Sequence, residues 1–239
     1  MRSDIICLLS TESHLNRPGE SMLLSRSLIF VHNPRTGGTS VRRLLQASLP
    51  DHYFPVNDPE MTTGQKQWAM HQGMDFAHQY AHRLGLDPLR IPTLVCIRNP
   101  YDHVLSGYKY LAGKPAGTVP GLEPDFETYV RNLYQKLTDR QRRLLESAPY
   151  GLSSKYVLVK RTQPSNLTIA KTESLQADVA RFIHDKFGVE PAHAIGQENA
   201  SSSGGRAEFY GTGEEEVVYR LYRQMFDRGL YARYEGLSL

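Results

Sequence analysis

The chain has 239 residues, with 28 Lys and Arg against 25 Asp and Glu and a formal net charge of +3. That length suits one α/β domain or, less readily, two small ones, with a sizeable core, and so mild a basic excess gives no argument for nucleic acid, which is not expected as a partner, while leaving room for a local basic pocket that takes a small anion. With two cysteines, Cys7 and Cys96, a disulfide framework is not indicated and a reducing compartment is expected, and no apolar run approaches the roughly 18 residues that cross a bilayer.

Residues 1–26 resist assignment apart from an outer strand over 5–9 and a turn at Asn16-Arg17-Pro18-Gly19. Ile5-Ile6-Cys7-Leu8-Leu9, with Asp4 before it and Glu12 after, is a poor signal-peptide core, so the expected protein is soluble and cytoplasmic. Residues 28–33 predict a buried strand. Residues 40–49 predict a helix, with Val41, Leu44, Leu45 and Ser48 along one face and Pro50 ending it. The polar stretch 51–66 reads as loop, and 68–84 as helix or strand then helix, stopped at Gly85. Residues 92–98 form a second buried strand; Asn99 can cap the next helix and Pro100 suits its first position.

Gly113–Pro124, rich in Gly and Pro, is a candidate mobile loop. Residues 125–146 are helical and charged, Tyr156–Lys160 and Leu167–Lys171 are short strands, and Glu173–Phe187 is a helix stopped by Gly188. A small-residue loop covers 199–206, and Glu214–Phe226 is a helix with acids in its first turn. The alternation of strands and helices predicts a single α/β domain over 1–239, built on a mostly parallel sheet flanked by helices.

Two segments carry chemistry. The first, Pro34-Arg35-Thr36-Gly37-Gly38-Thr39-Ser40, joins a strand to a helix N-terminus, where unpartnered N–H groups and the helix dipole favour an anion. It lacks the G-x-x-x-x-G-K-[ST] spacing of the common nucleoside-triphosphate loop. The second, Ile97-Arg98-Asn99-Pro100-Tyr101-Asp102-His103-Val104-Leu105-Ser106, puts a guanidinium at a strand end and a hydroxyl eight residues on.

The first segment resembles the phosphosulfate loop of sulfotransferases that use 3′-phosphoadenosine 5′-phosphosulfate, with Arg35 where the family usually has Lys. The second resembles the family's 3′-phosphate segment. Lys171-Thr172-Glu173-Ser174-Leu175 resembles its short acidic signature, with Glu173 read as structural, and Leu230-Tyr231-Ala232-Arg233-Tyr234 its closing segment. The resemblance implies a P-loop-like sulfotransferase fold. It implies a donor held by Arg35, Thr36, Gly37, Gly38, Thr39 and Ser40, and a 3′-phosphate held by Arg98 and Ser106. Arg206, with Ser201, is a further 3′-phosphate candidate in the 199–206 loop.

The activity so implied is transfer of a sulfuryl group to a hydroxyl or amine of a small-molecule or carbohydrate acceptor. Adenosine 3′,5′-bisphosphate is the product and no metal is required. Arg35 stabilises charge on the leaving group, since Arg stays protonated and is a poor general acid. The family commonly places a base between the two segments. His71 is the first choice, Glu60, His78 and His82 are alternatives, and His32 at the strand end is a rival. His78 and His82, four apart, suit a solvated helix face better than a metal pair. Two other readings stay open: a nucleotide kinase-like phosphotransferase, and a non-catalytic module that binds a nucleotide or sulfated glycan.

Overall fold

The structure, a computed structural model, describes residues 22–54, 72–113, 125–196 and 205–233. In chain order its elements are β1 (Leu23–Leu24), β2 (Ile29–Val31), α1 (Gly38–Ser48), α2 (Met74–Arg83), β3 (Thr93–Ile97), α3 (Pro100–Ala112), α4 (Phe126–Gln135), α5 (Asp139–Glu146), α6 (Ser154–Val157), β4 (Leu167–Lys171), α7 (Leu175–Phe187), α8 (Arg206–Phe209), α9 (Thr212–Leu221) and α10 (Arg223–Asp227). The described residues divide into two compact units. One draws on His14–Arg98 and Lys155–Asn199, the other on Asn99–Ser154 and Ala200–Leu239.

The first unit holds the sheet, in the order β1-β2-β3-β4. β1 runs antiparallel to β2, while β2, β3 and β4 are parallel, with Phe30 opposite Leu94 and Val95 opposite Ile169. The fold is therefore α/β, with a mostly parallel sheet flanked by helices. Alternation along the strands decides what each face meets. Phe30, Leu94, Cys96 and Ala170 pack with Val41, Leu44 and Leu45 of α1 and with Val179, Phe182 and Ile183 of α7. Ile29, Val31, Val95 and Ile97, on the other face, are buried as well. That explains why β2 and β3 read as continuous apolar runs. Burial pushes the Cys96 thiol up to about 12, so it acts as a small apolar side chain.

The second unit is helical. Asn99 caps α3 by accepting from the Tyr101 N–H, with Pro100 in the first turn. Its core is aromatic: Tyr101 meets Tyr210 and Phe226, and Phe126 meets Tyr108 and Tyr210, at ring centroids 4.9–5.4 Å apart. The Tyr210 hydroxyl donates to the Tyr101 carbonyl (2.7 Å), fixing the chain just after α8 to the start of α3.

The charged stretch 125–146 is helical, as expected, and forms two helices, because Thr138 and Gln141 form a capping box that starts α5 afresh. Two segments differ from expectation. The region expected as helix 214–226 breaks at Tyr222 into α9 and α10. Tyr156–Lys160 is not a strand. Lys160 and Arg161 take φ of 47° and 74°, which closes a two-residue turn bridged between Val159 and Thr162. β1 is an element the sequence reading leaves unassigned. The expected strand over 5–9 and most of the loops 51–66, 113–124 and 199–206 lie outside the described residues.

Candidate functional site

The turn between β2 and α1 is held from several sides. Thr36 Oγ1 donates to the Asn33 carbonyl (2.7 Å), closing the turn, and Asn33 Nδ2 donates to the Cys96 carbonyl on the neighbouring strand (3.0 Å). Arg35 and Gly37 both lie in the left-handed region, with φ of 64° and 78°. Gly37 is the N-cap of α1, and a Cβ there would stand 2.7 Å from Leu175 Cδ2 at the head of α7. A Cβ on Gly38 would fall 2.2 Å from the ring of His32, which is buried and stacked on Phe30. The paired glycines therefore let the turn pack beneath α7 and beside an imidazole at once. Thr36 and Ser40 are buried, Thr39 is half-buried, and α1 has no acid in its first turn to repel an anion.

The ends of the other two parallel strands reach the same turn. Arg98, just past β3, donates from Nη1 to the Arg35 carbonyl (3.1 Å). Thr172, just past β4, shares its hydroxyl proton between the Thr36 carbonyl (3.1 Å) and the Ile97 carbonyl (3.0 Å). β4 is itself fixed at that point. Asp178 in the first turn of α7 accepts from the Lys171 N–H (2.9 Å) and from the Ser174 hydroxyl (2.7 Å). Ligands of parallel α/β sheets bind outside the carboxyl ends of the strands, and here three such ends are joined by side chains. Among the described residues Arg98 has no carboxylate partner.

These bonds orient the turn's backbone. In a planar trans peptide the C=O and the following N–H point in opposite directions. Holding the Arg35 and Thr36 carbonyls toward the strand ends directs the Thr36 and Gly37 N–H groups the other way. Successive N–H groups so arranged make a concavity suited to an anion.

In the helical unit, Ser106 is buried on α3. Arg206 opens α8 and pairs side-on with Asp102 of α3, through Nε to Oδ1 (2.8 Å) and Nη2 to Oδ2 (2.6 Å). His103 Nδ1 lies 2.9 Å from the hydroxyl of buried Tyr222, and Lys109 stands over the Phe209 ring.

Of the proposed bases, His71 and Glu60 lie outside the described residues, as does Ser201. His78 and His82 part company on α2: His78 is buried and His82 exposed. Burial and the neighbouring His82 hold His78 below its ordinary pKa, against a smaller opposing pull from Asp75 and Asp87. Sequence reasoning missed four residues that hold the described structure together, Asn33, Thr172, Asp178 and Asp102. The signal for Thr172 was its place: a hydroxyl directly after a strand, inside a segment already singled out. Among the described residues no group of three His, Cys, Asp or Glu side chains could hold a metal ion, and no helix is long and apolar enough to cross a membrane. Comparison with protein-family models, curated proteins and solved structures finds no match to this chain.

Proposed function

We propose that the chain transfers a sulfuryl group from 3′-phosphoadenosine 5′-phosphosulfate to a hydroxyl or amine of a small-molecule or carbohydrate acceptor. The observation that carries this reading is the turn Pro34–Gly38. Arg98 and Thr172 hold its carbonyls, its N–H groups are turned away from the strand ends, and it bears its own cation, Arg35. An anionic group fits such a cradle, and the resemblance of Pro34–Ser40 to the phosphosulfate loop names which one.

The donor, when bound, supplies an activated sulfuryl group on a phosphate leaving group. The chain's part is positioning and charge stabilisation. The N–H groups of Thr36 and Gly37 and the hydroxyls of Thr39 and Ser40 would hold the 5′ end of the donor. Arg35 meets the negative charge that develops on the leaving group without giving up its proton. Arg98 offers a charged fork to the nucleotide's second phosphate while one of its N–H groups keeps the Arg35 carbonyl in place. The acceptor's proton passes to a base, for which His71 is the nominee.

Titration calorimetry with adenosine 3′,5′-bisphosphate and, separately, with ATP and Mg²⁺ tests the assignment. The expected result is binding of the bisphosphate and much weaker binding of ATP. Preference for ATP with Mg²⁺ would move the chain to phosphotransferases. Binding of the bisphosphate with no transfer to any acceptor in a mass-detected screen would leave a binding module.

A further inference from the structure

We infer that Thr172 is a positioning residue for the anion cradle, keeping the peptide between Thr36 and Gly37 in its binding orientation. The inference rests on the reading of the Pro34–Gly38 turn as a phosphate cradle and adds to it a residue outside both phosphate segments. One hydroxyl proton is shared between two carbonyls, Thr36 at 3.1 Å and Ile97 at 3.0 Å. It thereby links the turn after β2, the end of β3 and the end of β4. Thr172 has little freedom of its own, since Asp178 anchors the residues on either side of it through the Lys171 N–H and the Ser174 hydroxyl.

The peptide it holds has a glycine on one side. Gly37, on its C-terminal side, is at φ 78°, and glycine crosses between positive and negative φ at little cost. The preceding peptide is already secured by Arg98 on the Arg35 carbonyl. If the Thr36 carbonyl lost its donor, rotation of that one peptide would replace the Gly37 N–H in the cradle with a carbonyl oxygen. A donor to the anion would become a repelling acceptor. Thr172 touches no ligand in this scheme and acts through the backbone it holds.

The test uses the full chain in three forms: the unaltered protein, Thr172→Val and Thr172→Ser. Valine keeps the shape of the side chain and loses the donor; serine keeps the donor. Each form is titrated with adenosine 3′,5′-bisphosphate, with adenosine 3′-monophosphate, which lacks the group assigned to the cradle, and with inorganic pyrophosphate. Amide NMR shifts of Thr36 and Gly37 are followed alongside calorimetry.

Thr172→Val is expected to bind the bisphosphate and pyrophosphate about tenfold more weakly. It should bind the 3′-monophosphate as the unaltered protein does, and Thr172→Ser should restore binding. A residue that merely stabilises the fold would lower the thermal midpoint and weaken all three ligands together. Equal binding of the bisphosphate by the valine form and the unaltered protein overturns the inference and leaves the proposed function standing. If the Thr36 and Gly37 amides respond to pyrophosphate and lose that response in the valine form, while the bisphosphate does not bind, the inference stands and the sulfotransferase reading falls. No response of those amides to any phosphate in the unaltered protein overturns both.

Discussion

The end of β3 and the start of α8 each carry an arginine, and the two are held in opposite ways. Arg98 gives one N–H to a backbone carbonyl, a neutral acceptor that leaves its positive charge in place. Arg206 is gripped side-on by a carboxylate, Asp102, at 2.6 and 2.8 Å, so that its charge is matched within its own unit. A guanidinium steadied by a carbonyl is oriented and still cationic. One steadied by a carboxylate is oriented and neutralised as a pair. Residue type alone makes both arginines candidates for a phosphate; the acceptor each one meets separates them.

The largest effect should come from Arg98. Arg98→Ala removes the uncompensated charge and also frees the Arg35 carbonyl. Affinity for adenosine 3′,5′-bisphosphate should fall about 100-fold, the scale of one or two hydrogen bonds to a charged group. Arg206→Ala should change it no more than about threefold. Calorimetry on both variants decides the matter: equal losses would mean that the Asp102 pair does not set the two arginines apart.

Arg35 comes next, and here the readout is turnover. It already occupies the left-handed region at φ 64°, where lysine carries the same backbone penalty, so Arg35→Lys should fold as the unaltered chain does. Lysine keeps the charge and loses the planar fork. Once an acceptor is in hand, kcat is expected to drop about tenfold with bisphosphate affinity nearly unchanged. A matching loss of affinity with no change in kcat would place Arg35 in ground-state binding instead.

How much of this was legible in the sequence follows from what each part depends on. β2 and β3 were legible because apolar runs of strand length are local. So was the start of α3, because Asn99-Pro100 is a local cap. The break before α5 turned on Thr138 and Gln141, whose capping box also lay in view yet competed with a long charged helical pattern. The site was legible only in its reactive residue types. Thr172 acts across the ends of strands that are distant in sequence, and Asp102 meets Arg206 across 104 positions. No spacing rule announces such pairings; they exist only once the chain is folded.

The Asp102 pair gives a smaller, sharper test. Its side chains are 28 % and 29 % exposed, so the ion pair is partly screened and should contribute about 1 kcal/mol. Asp102→Asn is then expected to lower the thermal midpoint by about 2–4 °C. If the pair is the source of that loss, Arg206→Ala will cost less stability in the Asp102→Asn background than in the unaltered chain. The double-mutant cycle measures that difference directly.

The smallest effect extends the same rule to a group that can shed its charge. His78 is buried on α2, and among the described residues no partner bonds its Nε2. Burial and His82 hold its folded-state pKa below the ordinary 6.5, with Asp75 and Asp87 offsetting only part. Between the folded and unfolded values the unfolded chain binds more protons. Stability should therefore be complete above about pH 6.5 and decline as the pH falls below it, down to the folded-state pKa. One proton limits the slope to about 1.4 kcal/mol per pH unit. Urea unfolding of the unaltered chain and His78→Gln at pH 8 and pH 5 isolates the contribution, because the other histidines cancel in the difference. The unaltered chain should lose more stability on acidification than the variant. An equal loss would mean that Asp75 and Asp87 compensate a charged imidazole at position 78 as Asp102 compensates Arg206.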